Sequence, residues 1–288
     1  MTDDEAAAQL MKHRPMLFGL AYRMLGSAHD ADDVLQNAYM RWSRVDRRRV
    51  LEPQRYLTRL VTTTAIDLLR QRRARRESYI GPWLPEPIMT QDLADCTGQR
   101  ESLSFALLHL MEHLTPAQRA VFILRSAFEL PYADIAEVLD RPEATCRQWY
   151  RRAVAALPDG GGRRFSVDRE RHRQLLNAFL DAAQNGELPR LERLLCDDVV
   201  SLSDGGGLIR VARRPVLGRS RVARFFGNLY GRPSVTVASA DFNGTAGAVV
   251  TIGGQPHVLL LGVIDDRIGR LYVVANPDKL TTVLSGFG

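Results

Sequence analysis

Two all-α domains followed by an α+β domain are predicted from three observations. Apolar residues recur at helical spacing from Leu17 to Leu157, and a glycine-rich break, Asp159 to Gly162, follows Pro158. Beyond Val235 the spacing changes to the alternation of strands. Within the helical part, YIGPWLPEP (residues 79–87) carries three prolines and a glycine, so it cannot be a regular helix. The predicted organisation is a helical domain over 1–77, a linker over 78–100, a second helical domain over 101–158 and an α+β domain over 168–288.

The first helix is predicted over Met16–Leu25, where Leu17, Leu20, Ala21, Met24 and Leu25 share a face and Gly26 is a stop. The second is capped from Ser27 or Asp30 and buries Ala31, Val34, Leu35, Ala38, Trp42 and Val45. Its other face shows Asp32, Asp33, Gln36 and Asn37, which suit either a helix dipole or a basic docking partner. In the third helix Pro53 fits the first turn, and Leu57, Leu60, Val61, Ala65, Leu68 and Leu69 face inward. Arg55, Arg59, Thr62, Thr63, Arg70 and Arg73 are left outside. The helix runs into five arginines within residues 70–76, an electrostatic site for phosphates. A simple tether would rarely expose Tyr79, Trp83 and Leu84, so these linker side chains are expected to dock.

Two further helices, separated by Thr115-Pro116, lead into Tyr132–Leu157, which reads as a helix-turn-helix. Ile135, Ala136 and Leu139 line one helix; Cys146, Trp149 or Tyr150, Ala153 and Leu157 line the next. Asp140 sits at a turn position that needs positive φ, and Pro142 suits the start of the second helix. The outward face carries Ala144, Arg147, Gln148, Arg151 and Arg152, whose forked donors match guanine and adenine edges. Upstream, His109, Glu112 and His113 form the zinc-protease pattern H-x-x-E-H, but Leu107, Leu110 and Leu114 make the segment an ordinary amphipathic helix. Past the glycine-rich break, Leu175, Leu176, Phe179 and Leu180 mark one helix and Leu188, Leu191, Leu194 and Leu195 another. AGAVVTI, HVLLLGVI and RLYVVA then form a meander, with turns at Asn243-Gly244, Gly253-Gly254 and Asp265-Asp266.

At 288 residues, with 45% hydrophobic and 25% charged residues, the composition is that of a soluble multidomain protein. No apolar run approaches the roughly 20 residues of a membrane span, and the acidic N-terminus is unlike a signal peptide, so a cytoplasmic location is expected. Cys96, Cys146 and Cys196 are too few and too scattered for a disulfide framework or a zinc site. The net charge of +6 divides evenly, +3 in residues 1–165 and +3 in residues 166–288, so local clusters carry the information. All basic residues except Lys12 and Lys279 are arginines.

LFGLAYRMLGSAHDADDVLQNAYMRW resembles the helix pair of region 2 of extracytoplasmic-function sigma factors that docks on core RNA polymerase, and RYLTRLVTTTAIDLLR the helix engaging the minus-10 element. Residues 101–157 resemble region 4, which reads the minus-35 element. YIGPWLPEP, the DGGG at Asp204, Gly205, Gly206 and Gly207, and NPDKL at Asn276, Pro277, Asp278, Lys279 and Leu280 together resemble the SigJ-type subgroup. That subgroup ends in a SnoaL-like, NTF2-type α+β domain. The resemblance implies polymerase contacts at Asp32, Asp33 and Gln36. It implies minus-10 contacts at Arg55, Arg59, Thr63, Arg70 and Arg73, and minus-35 contacts at Arg147, Gln148, Arg151 and Arg152. Regulatory positions would be Tyr79, Trp83, Leu84 and the two short motifs. Many family members have Asn at Thr63 and Glu at Asn37, so this chain departs from them there.

Two function classes follow. The first is a transcription initiation factor, with core RNA polymerase and promoter DNA as partners, no cofactor, no membrane and no catalytic role. Its two DNA modules become effective when polymerase holds both on one promoter, and its C-terminal domain acts on them in cis by packing against the linker through Trp83 and Leu84. The alternative is a cyclase, isomerase or small-ligand-binding activity in that domain, with Asp204, Asp241 and His257 as imaginable acid/base residues and the ligand unknown.

Overall fold

The computed structural model describes residues 3–46, 50–76, 79–91, 104–157 and 168–285; the glycine-rich break, Cys96 and the side chains of Arg73, Arg75 and Arg76 lie outside the described parts. The chain divides into two compact units. One comprises the described residues of Met1–Glu77, Gln91–Leu103 and Leu110–Gly161, the other those of Ser78–Thr90, Ser104–His109 and Gly162–Gly288. No helix of the described residues is long and apolar enough to cross a membrane.

The first unit begins with α1 (Asp3–Leu25), which is longer than the sequence predicts and runs through Pro15. Leu10 is buried, as is Leu17 two turns on, so one apolar stripe continues across the proline. In α2 (Ala28–Trp42), Ser27 is the N-cap and its hydroxyl accepts from the Asp30 amide at 3.3 Å. Helix α3 (Pro53–Arg76) buries Leu57, Val61, Ala65 and Leu69. Thr62, expected outside, is also buried, because its hydroxyl donates to the Thr58 carbonyl at 2.7 Å and so needs no water. Helix α4 (Phe105–Leu110) contributes Phe105–His109 to the second unit.

Helix α5 (Pro116–Ser126) opens on a capping box between Thr115 and Gln118. Its Arg119 is buried, donating from Nε and Nη2 to the Arg23 carbonyl at 3.2 and 3.0 Å and pairing through Nη1 with Glu112. Arg23 lies in the last turn of α1, where carbonyls lack helical partners, so Arg119 satisfies an orphan acceptor while joining the two helices. Burial pushes the guanidinium pKa down, opposed by the nearby Tyr22. Glu112 of the H-x-x-E-H pattern is thus committed to Arg119, while His109 packs edge-on against Tyr272 in the second unit, ring centroids 5.3 Å apart.

The helix-turn-helix comprises α6 (Tyr132–Leu139) and α7 (Glu143–Ala156). Ile135 and Val138 are the buried pair of α6, three residues apart, while Ala136 and Leu139 are only half-buried. Cys146, Ala153 and Leu157 are buried from the second helix. Asp140 has φ 52° and ψ 55°, the left-handed conformation expected at the turn. Pro142 stands one position earlier than expected, as the N-cap of α7.

In the second unit, α8 (Arg169–Gln184), α9 (Leu188–Leu194) and α10 (Arg219–Tyr230) accompany a six-stranded sheet. The strands are β1 (Leu195–Asp204), β2 (Val216–Leu217), β3 (Val235–Phe242), β4 (Thr245–Ile252), β5 (Gln255–Ile264) and β6 (Arg267–Val274), in the order β2-β1-β6-β5-β4-β3. The expected meander is β3 to β6, each turn in the left-handed region as Asn243-Gly244, Gly253-Gly254 and Asp265-Asp266 demand. Strand β1, which the sequence reading did not anticipate, runs parallel to β6. The three helices bury Phe179, Leu191, Val222 and Phe226 against Leu259, Leu261 and Leu271 on one sheet face. On the other face Leu84 and Phe105 pack with Phe242, Val258, Leu260 and Tyr272. Linker and first region 4-like helix therefore supply the cover that the sheet would otherwise lack.

Replacing Asp140 by Gly should raise stability by a few tenths to about 1 kcal/mol, whereas Asp140→Val should lower it by about 1 to 2 kcal/mol, since a β-branched residue resists positive φ. Urea denaturation followed by circular dichroism distinguishes the two.

Candidate nucleic-acid interface and linker clasp

The outward face of α7 presents exposed Gln148, Arg151 and Arg152, for which no intramolecular hydrogen bond or ion pair is found among the described residues. Arg147 differs: it pairs with Glu143 at 2.6 Å and lies over the Tyr132 ring at 4.7 Å. It is therefore pre-positioned, whereas its neighbours are open to a ligand. On α3, Arg59 and Arg70 are exposed, Arg70 pairing with Asp67 at 3.1 Å, and the Thr63 hydroxyl is turned back to the Arg59 carbonyl at 2.9 Å. Arg55 is ion-paired to Asp134 and, at 3.2 Å, to Glu137 of the helix-turn-helix. In this arrangement its positive charge is neutralised from within the unit. Asp32, Asp33 and Gln36 form an exposed row on α2, off the stripe of Val34, Leu35 and Ala38; Asp32 pairs with Arg14 at 2.7 Å and Asp33 lies 3.7 Å from His29.

In the second unit the linker is held by a fully buried carboxylate. Asp204, at the end of β1, accepts from the Tyr79 hydroxyl at 2.6 Å, the Leu84 amide at 2.9 Å, the Gly206 amide at 3.0 Å and Lys279 Nζ at 2.7 Å. Lys279 also donates to the Leu84 carbonyl and stands 4.1 Å from the Trp83 ring centroid and 5.3 Å from that of Tyr79. The three motifs thus converge on one ion pair. Burial and the Asp204 hydrogen bond push the Tyr79 pKa up, so the phenol stays a donor. Asn276 caps the turn Pro277–Lys279 with its carbonyl and donates its amide to Tyr79 at 3.1 Å, while Pro277 and Asp278 are exposed and Leu280 is buried. Gly206 has φ 61°, and a Cβ there would lie 2.5 Å from the Asn276 side chain, so the loop requires glycine twice over.

A second anchor was not legible in the sequence. Asn243 is buried, and it exchanges hydrogen bonds with Ile88, amide to carbonyl at 2.9 Å and carbonyl Oδ1 from the Ile88 amide at 3.3 Å; Gly244 donates to Thr90 at 3.0 Å. The Asn-Gly pair signals only a hairpin, and that signal hides its second use. The imagined catalytic set is not brought together. Asp204 is saturated by the clasp, Asp241 pairs with Arg173 at 3.0 Å, and His257 lines a cavity with Ser203 and Val273.

Residues 10–75 match the description of Sigma-70 region 2 and residues 104–157 that of Sigma-70 region 4. Similarity extends over most of the chain to the ECF RNA polymerase sigma factor SigJ of Mycobacterium tuberculosis (strain ATCC 25618 / H37Rv), 31% identical over 93% of this chain and 91% of that protein. The chain belongs to the extracytoplasmic-function sigma factors. A probable ECF RNA polymerase sigma factor SigI of Mycobacterium tuberculosis (strain CDC 1551 / Oshkosh) is 27% identical over 99% of this chain and 98% of its own length. The crystal structure of Mycobacterium tuberculosis SigJ superposes with a TM-score of 0.77 at 30% identity, covering 96% of this sigma factor and 98% of that chain. Region 2 thus corresponds to α1 to α3 and region 4 to α4 to α7, although Ser104–His109 of the region 4 match cluster with the second unit of this sigma factor.

Breaking the clasp from either side should cost more than the pair is worth. Asp204→Asn and Lys279→Met should each destabilise the second unit by about 3 kcal/mol by leaving a buried charge unpaired, while the double variant should cost clearly less than their sum. Guanidinium denaturation of the three variants measures the coupling, and strict additivity would remove the ion pair from the account.

Proposed function

We propose that this protein binds core RNA polymerase and directs it to promoters, reading the minus-35 element with the exposed face of α7 and engaging the minus-10 element with α3. Asp32, Asp33 and Gln36 are the polymerase-docking row. The observation that carries this reading is a recognition helix that buries Cys146 and Ala153 while Gln148, Arg151 and Arg152 stand exposed with no partner among the described residues, within a chain of this family. Arg55 would join the minus-10 contacts only after leaving Asp134 and Glu137, so productive binding requires α3 and α6 to part. Held together by polymerase, two weak DNA modules act as one strong one.

The C-terminal domain acts in cis. Supporting this are the ten or so linker residues that its clasp and hairpin hold in a set path, because a fixed linker restricts the distances that regions 2 and 4 can adopt. Asp204 in this reading is a structural anchor and not an acid or base, since four donors already occupy its carboxylate.

Transcription from a promoter selected with core polymerase and the purified protein tests the assignment. Arg151→Ala should weaken promoter binding by about 1 to 3 kcal/mol and relax specificity at one base position. Reversing Asp32 and Asp33 together should leave helicity and melting unchanged and weaken binding to core. Lys279→Met should alter promoter output at equal protein level. A double reversal that binds core normally would sink the docking assignment, and an Arg151 variant of undiminished selectivity would sink the base-reading one.

A further inference from the structure

The second unit contains a cavity of about 680 Å³ with no role in the contacts above. Its lining is mixed, and the apolar part comes from Phe225 and Leu229 of α10, Ile252 and Val273 of the sheet, and Ile209 and Val211 of the segment after β1. The ionisable lining residues are Arg210, Arg232 and His257, with no Asp or Glu among the described residues that line it. His257 is buried with Nδ1 2.9 Å from the Gln255 carbonyl, and burial lowers its pKa, so the two arginines supply the positive charge. A volume of this size suits a small organic molecule, and arginines beside a partly apolar lining suit a carboxylate with a hydrocarbon body.

The wall of this cavity is also the seat of the linker. Ser203 lines the cavity, and its neighbour Asp204 is the clasp carboxylate on the opposite sheet face. Residues 208–212 form the wall, tied back by Leu208 and Ile209 amides that donate to the Gly205 carbonyl at 3.0 Å each. The turn has no slack: a Cβ at Gly205 would lie 2.3 Å from the Ile209 carbonyl oxygen and 2.9 Å from Val211. On its other side, a Cβ at Gly207 would lie 3.0 Å from Ile80, and one at Gly81 would lie 3.7 Å from the Arg213 carbonyl. One short segment therefore lines the chamber and also touches the linker.

We propose that this cavity is an effector site for a monocarboxylate with an apolar body, and that occupancy is coupled to the linker clasp through residues 203–213. The coupling rests on the cis-acting reading of the C-terminal domain. Ligand and clasp bias the same segment, so each must change the other's free energy by the same amount.

Calorimetry on the full chain with octanoate, and with octanol as its uncharged counterpart, tests this. Octanoate should bind at least about tenfold more tightly than octanol, and the double variant Arg210→Ala/Arg232→Ala should lose about tenfold in octanoate affinity with an unchanged melting temperature. Lys279→Met should shift octanoate affinity at least about threefold. Tyr79→Phe, which keeps the ring and removes one hydrogen bond to Asp204, should shift it in the same direction and serves where Lys279→Met does not fold. No heat with octanoate, equal affinity for octanol, or indifference to the arginines overturns the site. Binding unmoved by both clasp variants overturns the coupling. The two readings fail separately: clasp variants that transcribe normally undo cis regulation, whereas an empty cavity in a chain whose clasp variants transcribe abnormally undoes only the effector site.

Discussion

A carboxylate without water needs donors, and the second unit is arranged around meeting that need at Asp204. Its four donors come from the linker, the adjoining glycine loop and the segment after the last strand, so no single stretch can satisfy it alone. Lys279 has the converse need, met by Asp204, the Leu84 carbonyl and two aromatic faces. Neither charge is tolerable buried without the other. The linker is consequently bound by polar necessity at one end and by apolar burial of Leu84 in the middle.

The sheet imposes a second constraint. Its strands are buried on both faces, and α8 to α10 cover only one of them. Covering the other with the linker and with Phe105 of α4 removes a large apolar surface from water, an effect of about 25 cal/mol per Å². The same economy operates in the first unit, where Arg119 closes an open carbonyl of α1 and Arg55 is matched by acidic side chains of α6.

Much of this was legible in the sequence where periodicity or turn chemistry was strong. The helix-turn-helix was marked by its apolar stripe and by Asp140, and the meander by its three turn dipeptides. Strand β1 was not, because Ser201 and Ser203 occupy inward positions and Asp197 and Asp198 stand near its start, so alternation is blurred. Helix α10 was obscured by Arg219, Arg221 and Arg224, which interrupt its apolar residues. Thr62 was misplaced because residue type suggests exposure, whereas a back-bonded hydroxyl permits burial. Docking of Trp83 and Leu84 could be expected from their apolar character, but the partnership of Ile88 with Asn243 depends on chain geometry that spacing does not encode.

The connection between Leu84 and Lys279 spans 195 residues, and that separation orders events during synthesis. Regions 2 and 4 emerge from the ribosome well before the turn that holds the linker exists, so the nascent chain carries its DNA-reading helices with an untethered connector. Lys279 can reach Asp204 only after the turn Pro277–Lys279 has been made and released. The ion pair is thereby acquired after both DNA-reading regions, and a chain lacking Asn276–Leu280 would hold its linker through Asp204 and Asn243 but without the charge that Lys279 supplies.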